Sequence, residues 1–551
     1  MKSFTSVGTS RAVSRRTFLR RGARGAVALS PAAYLFDAFV RDLLLGASAE
    51  AAGAVTERSF VNLNMGGGPP RYMFDHWLRT RDDEPALVVS PYNANAFVHD
   101  AAGRVSGTEE RLFRFREHLV PHLFSTFEAA ERERFLDGFL VVRGYGSGID
   151  GHGLNSQLQQ HPLSSAPSIS GHVADHSGRI FQAVRMDGGG RFLSAKGISI
   201  NDVHRANPLG SLLGALLADG PTRRLSQTYG EAFDEVRAAL GALPSRSTAQ
   251  RIAVGNLERS HSLLESSLRD FEEQWPLLVA KYEAAIGPAL RDLRVPGISV
   301  SLDGAMDLSF EVDESDPRFD SGVGSVGYLS AGANVCRLAE HATVGLADKL
   351  ALAEYGIKNR LVSAFELQVG NVRNLNASAG GGRSLFDLGN DMHGGGGYVV
   401  FPAMTMFHRA TVAGLLLFSR ELEAAGQWSN TLVRLSSEFD RKISVRGTGS
   451  GHGTEQMITS VFSGAFTGGP YVVGNVAGPS PESGIATQGV ALPIENYSVA
   501  HRPTPIMVAS TLNALLGIEH NPWRNFQAPL VGLRADRTLE LPFGAGRMIP
   551  V

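Results

Sequence analysis

Over most of its length the chain alternates short apolar runs with stretches whose apolar positions recur at helical spacing. Phe60-Val61-Asn62-Leu63-Asn64 reads as a first strand, and Gly66-Gly67-Gly68-Pro69-Pro70 as its sharp exit loop. Phe139-Leu140-Val141-Val142 predicts a second strand, followed by a glycine-rich loop carrying Asp150 and His152. Leu257, Leu264, Leu268, Phe271, Trp275, Leu278 and Tyr282 then recur at spacings of seven, four and three, an apolar stripe along a helix. Pro244 and Pro276 are expected to break or kink this region. It reads as a helical insertion over about 208–295, a hairpin packed on the main sheet.

Beyond it, residues 298–302, 362–369, 431–435 and 457–462 predict strands. A helix is expected from Pro402 to Ala425, closed by Gly426 as its C-cap. Strands alternating with helices predict an α/β fold, a mostly parallel sheet flanked by helices on both faces. Ligands of such sheets bind outside the carboxyl ends of the strands, so polar residues there carry the functional argument.

Composition narrows the picture. The 551 residues suffice for a large core, and a net charge of -2 with 19% charged residues gives no basic surface for nucleic acid. The 63 glycines concentrate in a few loops, where backbone can approach a ligand closely. The N-terminal segment has its own chemistry. Ser14-Arg15-Arg16-Thr17-Phe18-Leu19 has the order of a twin-arginine export signal, with Lys2, Arg11, Arg20, Arg21 and Arg24 around it and no acid before Asp37. The following apolar segment is interrupted by Asp37, Arg41 and Asp42, whereas a spanning helix needs about 20 apolar residues, so no stable membrane span is expected. Ala47-Ser48-Ala49 offers a small-residue cleavage site. The expected organisation is a signal and linker over 1–53 and an α/β domain over 54–551, periplasmic or secreted, with the twin-arginine translocase as partner during export. The single cysteine, Cys336, makes no internal disulfide, so folding does not require an oxidising compartment.

Four loops after predicted strands carry histidine and carboxylate residues. They hold Asp150 and His152; Asp387, Asp391 and His393 before a run of four glycines; Glu438 with Asp440 and Arg441; and His452. Imidazole plus carboxylate from separate loops is the ligand set of zinc and related divalent ions. The candidate metal ligands are therefore His152, Asp391, His393, Glu438 and His452, and each histidine needs a further partner to fix its tautomer.

Several of these segments resemble an exported bacterial family, the domain of unknown function numbered fifteen-oh-one, sulfatase-like within the alkaline phosphatase superfamily. Residues Thr431 to Arg441 resemble its strand and Glu-Phe-Gly-Arg turn. Asp391-Met392-His393 is similar to its Asp-Thr-His motif, and Gly451-His452-Gly453 to its Asp-His-Gly motif. Gly67-Gly68-Pro69-Pro70 with Phe74-Asp75 resembles its opening, His152 with Gln157 an early segment, and Pro167-Ser168-Ile169 its Pro-Ser-Ile-Gly turn. Residues 511–518 are similar to its closing helix. The resemblance implies an alkaline-phosphatase-like sheet, a divalent metal and a small-molecule or envelope substrate.

The departures bear on chemistry. Pro70 stands where the family has serine, Met73 replaces a nearby acid, Gly451 replaces an aspartate and Asp440 a glycine. Relatives in this superfamily attack with a hydroxyl or modified cysteine at the end of the first strand, and none stands there. Cys336 lacks the surrounding Pro and Arg that sulfatase maturation needs. Two readings remain. One is a metal-dependent hydrolase of phosphate esters or related envelope substrates, using zinc or manganese, water activated by the ion and Arg441 to stabilise an anionic transition state. The other is a periplasmic binding or scaffold protein that kept the fold and lost the chemistry.

Overall fold

The structure, a computed structural model, describes residues 58–71, 73–75, 78–79, 98–99, 105–107, 112–116, 118–179, 181–188, 190–213, 271–295, 298–300, 306–308, 335–370, 378–379, 383–384, 397–443, 450–454, 457–476, 491–492 and 503–540. The expected signal segment, most of the expected insertion, and Asp387, Asp391 and His393 lie outside these residues. The chain divides into two compact units, 1–51 with 207–269 and 52–206 with 270–551. The second unit holds every strand of the main sheet.

Its elements, in chain order, begin with β1 (Ser59–Met65), β2 (Phe139–Tyr145), α1 (His152–Gln160), α2 (Ile169–Asp175), β3 (Phe181–Met186) and β4 (Asn201–Asp202). Then come α3 (Phe271–Ile286), α4 (Leu346–Lys358), β5 (Val362–Val369), α5 (Gly397–Ala424) and β6 (Thr431–Ser437). Further on come β7 (Asp440–Ile443), β8 (Ser450–Gly453), β9 (Met457–Ser463), β10 (Tyr471–Val473) and α6 (Pro505–Leu516). Eight strands form one sheet in the order β10-β2-β9-β6-β1-β5-β3-β4. Within it β9 runs against the others, pairing antiparallel with both β6 and β2. The protein is an α/β fold with a mostly parallel sheet.

Helices cover both faces, and residue parity along β1 shows why. Phe60 and its register partners Ala364 and Leu432 share one apolar cluster with Val173 of α2 and Val508 and Leu512 of α6. Val61 lies opposite Phe365, whose ring abuts Gly356 of α4 on the other face. Every residue of β1, β2, β6 and β9 is buried. That is the signature of a sheet covered on both sides.

One row of this interior is polar. Glu366 of β5, Asn62 of β1 and Arg434 of β6 are register neighbours. Asn62 Nδ2 donates to Glu366 Oε2 at 2.7 Å, and Arg434 donates to the Gln159 carbonyl at 2.8 Å and to Thr459 Oγ1 at 3.0 Å. Burial raises the Glu366 carboxyl above its ordinary range.

Local signals fix the helix ends. Ser168 caps α2 by accepting from the Gly171 amide at 3.1 Å, and Thr504 caps α6 through the Met507 amide with Pro505 at the first helical position. Gly426 has φ +67°, as a C-cap glycine should, but α5 begins at Gly397 and runs through Pro402 instead of starting there. The α3 helix likewise continues past Pro276. It packs against α4, where Lys281 and Tyr282 both donate to Glu354. No helix among the described residues is long and apolar enough to cross a membrane.

Candidate functional site

At the carboxyl edge of β1 the chain leaves the sheet through Gly67 and Gly68, at φ +86° and +65°. That conformation favours glycine, and a Cβ at Gly68 would also lie 2.7 Å from the Phe439 ring. β6 ends in register with β1, Met65 opposite Ser437, so Glu438 and Phe439 emerge beside this loop. The chain then folds back as a two-stranded hairpin of β7 and β8, with Arg441 paired to His452. From β2, the Ser147 amide donates to the Thr454 carbonyl at 2.9 Å, which brings Asp150 and His152 alongside the hairpin. His152 is the first residue of α1 rather than part of a loop, and Gly151 before it offers no side-chain cap.

These segments bring two imidazoles together. The His152 and His452 rings lie 4.9 Å apart between centroids, at 85°. Phe439 forms their floor, 4.0 Å from His452 in a stacked arrangement and 4.8 Å from His152. Each ring has its Nδ1 on a carboxylate: His152 on Glu438 Oε2 at 2.5 Å, and His452 on Asp150 Oδ1. Glu438 is nearly buried, whereas Asp150 is 80% exposed in its side chain. A neutral imidazole that donates from Nδ1 to a carboxylate carries its lone pair on Nε2, the arrangement of a metal-binding histidine.

Arg441 approaches from beneath. Its side chain is fully buried; Nε donates to the Gly68 carbonyl at 2.8 Å and Nη2 to the Gly67 carbonyl. The guanidinium also lies 5.1 Å from the Phe439 ring centroid. It clamps the exit loop against the hairpin. Asp440 contributes by accepting the Arg441 amide at 2.8 Å.

The loop is held from the helix layer too. His408 of α5 donates from Nε2 to the Pro70 carbonyl at 2.8 Å and stacks on Phe74 at 4.7 Å. Burial pushes its pKa down to about 4, so it stays neutral. Asp75 does not face the two imidazoles' carboxylates; it is wholly buried in an ion pair with Arg71 and accepts from Ser460 Oγ at 2.5 Å.

Of the residues the sequence pointed to, His152, Glu438 and His452 therefore converge, with Arg441 below them. Asp391 and His393 lie outside the described residues. Asp150 joins as the second orienting carboxylate. Phe439 was not singled out; its place directly after Glu438 was the only signal. A small cleft opens along the same sheet edge, lined by Asn64 of β1, Arg185 of β3, and Glu366 and Gln368 of β5.

No protein-family model matches the chain, and no curated protein matches it. Among solved structures it is similar to Ps i-CgsB at 8% identity, over 86% of this chain and 74% of that one, with a TM-score of 0.27. Ps i-CgsB in complex with k-i-k-neocarrahexaose matches at 12% identity, over 36% and 37% of the two chains, with a TM-score of 0.16.

Proposed function

We propose that the chain is a metal-dependent hydrolase of phosphate esters or related anionic envelope substrates, a member of the sulfatase-like family its motifs resemble, exported by the twin-arginine route. One observation carries the reading: two imidazoles, each oriented by its own carboxylate, meet at the carboxyl edge of β1, β2 and β6. Imidazole with carboxylate is the donor chemistry of zinc and manganese, and a carboxylate on Nδ1 is the partner that orients a metal-binding histidine. When bound, a divalent ion supplies Lewis-acid polarisation of the ester and lowers the pKa of water to about 7.

The chain's own residues divide the remaining work. His152 and His452 hold the ion, with Asp391 and His393 proposed to complete its ligands. Glu438 and Asp150 orient the two rings. Gly67 and Gly68 let the backbone come close to the ester, and Arg441 keeps that loop in place through its two carbonyls. With Pro70 in place of a hydroxyl, water is the nucleophile.

A non-catalytic binding role is favoured by one feature, the burial of Arg441 on main-chain carbonyls, which keeps its charge from a substrate. Turnover decides between the two. Purified protein loaded with zinc or manganese is expected to hydrolyse bis-p-nitrophenyl phosphate; chelation should abolish it, and His152→Ala should lower it sharply. A folded, metal-loaded protein without turnover on phosphodiester, phosphomonoester and sulfate-ester probes would leave the binding role standing. Export is read separately: Arg15→Lys with Arg16→Lys should trap the chain in the cytoplasm.

A further inference from the structure

A second group of histidines stands apart from that site. His172 lies in the last turn of α2, His176 caps the same helix, and His520 follows α6. Four residues apart, His172 and His176 share one helix face, and their rings lie 4.5 Å apart between centroids. His520 faces them, at 5.9 Å from His172 and 6.4 Å from His176. One ligand nitrogen from each of the three lies within 4.8 Å of the others.

Main-chain carbonyls hold two of the three rings in place. His172 Nε2 sits 2.9 Å from the His520 carbonyl, and His176 Nδ1 sits 2.9 Å from the His172 carbonyl. A main-chain carbonyl accepts only from N–H, so each contact orients its ring. Trp523 backs the cluster, its ring 5.2 Å from His172. Asn513 of α6 contacts the same ring through a side-chain hydrogen bond. Burial ranges from His172, 2% exposed, to His520 on the surface, so the group opens to solvent on one side.

We infer that His172, His176 and His520 form a second metal site, binding one zinc-class divalent ion through three imidazoles with the fourth position open to water. Tetrahedral zinc with nitrogen ligands at about 2.0–2.1 Å places those nitrogens about 3.3 Å apart. Closing the present spread to that value is a modest rotation of exposed His520 and half-buried His176. Such an ion ties the segment after α6 to the end of α2, two pieces of chain about 345 residues apart that both cover one face of the sheet.

The test uses the full chain carrying His152→Ala and His452→Ala, which removes the site at the sheet edge and keeps the two ideas distinguishable. After chelation and dialysis, Co2+ titration should give the visible d–d absorption of a tetrahedral or five-coordinate nitrogen site, and Zn2+ should displace it. Adding His176→Ala or His520→Ala should weaken Co2+ binding by roughly 10-fold or more and remove the rise in melting temperature that Zn2+ produces. Both residues are at least partly exposed, so the variants should keep the wild-type circular dichroism. Equal Co2+ affinity with and without these substitutions, or no saturable absorption at millimolar Co2+, would overturn the assignment.

Discussion

The two histidine groups are built on opposite principles. At the sheet edge, His152 and His452 are oriented by carboxylates drawn from different segments, and the site rests on a loop whose left-handed turns call for glycine. At the end of α2, His172 and His176 are oriented by main-chain carbonyls within a compact cap. Carboxylate partners make a ring more basic and add negative charge near bound metal, which suits an ion that must activate water. Carbonyl partners fix geometry without adding charge, which suits an ion that holds pieces of chain together. The comparison predicts that substitutions separate the groups cleanly, one set changing turnover and the other stability.

The largest effect on turnover should come from the sheet edge. Replacing His152 and Glu438 together by alanine is expected to lower kcat for a phosphodiester by roughly 100-fold or more, an oriented donor being worth about 3 kcal/mol in such sites. The same double variant should keep the share of Zn2+-dependent thermal stabilisation that belongs to His172, His176 and His520 and lose only the share of the sheet edge. Complete loss of stabilisation would merge the two groups into one.

Beneath the site lies the buried pair Arg71–Asp75, both side chains at 0% exposure. Asp75→Ala leaves an uncompensated guanidinium and should cost about 3–5 kcal/mol in urea unfolding. Turnover of the fraction that remains folded is expected to persist, which would show that Asp75 supports the edge rather than reacting there.

A pH titration sharpens the contrast next. His408 and His172 both sit near pKa 4 in the folded protein, below the ordinary histidine value of 6.5. The unfolded chain then binds the extra protons, so their contribution is complete above pH 6.5 and is lost as pH falls from 6.5 towards 4. For wholly buried His408 the loss is roughly 3 kcal/mol. His408→Gln should flatten this slope in unfolding experiments from pH 7 to pH 4. Zn2+ should offset only the share that belongs to His172.

The smallest of these effects is expected at the exit loop. Gly68→Ala forces a left-handed residue against Phe439 and should destabilise by about 1–3 kcal/mol. Because Gly68 carries the carbonyl that Arg441 grips, kcat should fall more than the melting temperature shift suggests.

Much of this architecture was legible beforehand. Val362–Val369 matches its strand end to end, because Val362, Ala364, Phe365, Leu367 and Val369 keep it apolar around Ser363, Glu366 and Gln368. Gly426 marked the end of α5 through its αL conformation. Strand direction was not legible: residues 457–462 read as one more strand, yet β9 runs antiparallel, and period-two patterning carries no polarity. Nor did patterning reveal β3, where Gln182 and Arg185 interrupt the apolar positions. The start of α1 at His152 was missed because Gly151 gives no side-chain capping signal. His152, Glu438 and His452 could be proposed because each follows or lies beside a recognisable strand. The second group could not, since His520 meets His172 only through the packing of α6 on α2. The spacing of His172 and His176 was its one trace in the sequence.

Metal content measured alongside turnover tests the central claim most directly. Wild-type protein and the His152→Ala/His452→Ala variant would be loaded with Zn2+, dialysed, and analysed for zinc per chain and for hydrolysis of bis-p-nitrophenyl phosphate. The account predicts that the variant loses turnover together with part of its zinc, and keeps the rest on His172, His176 and His520. A variant that hydrolyses the ester as fast as wild type, or that retains the full zinc content, would contradict it.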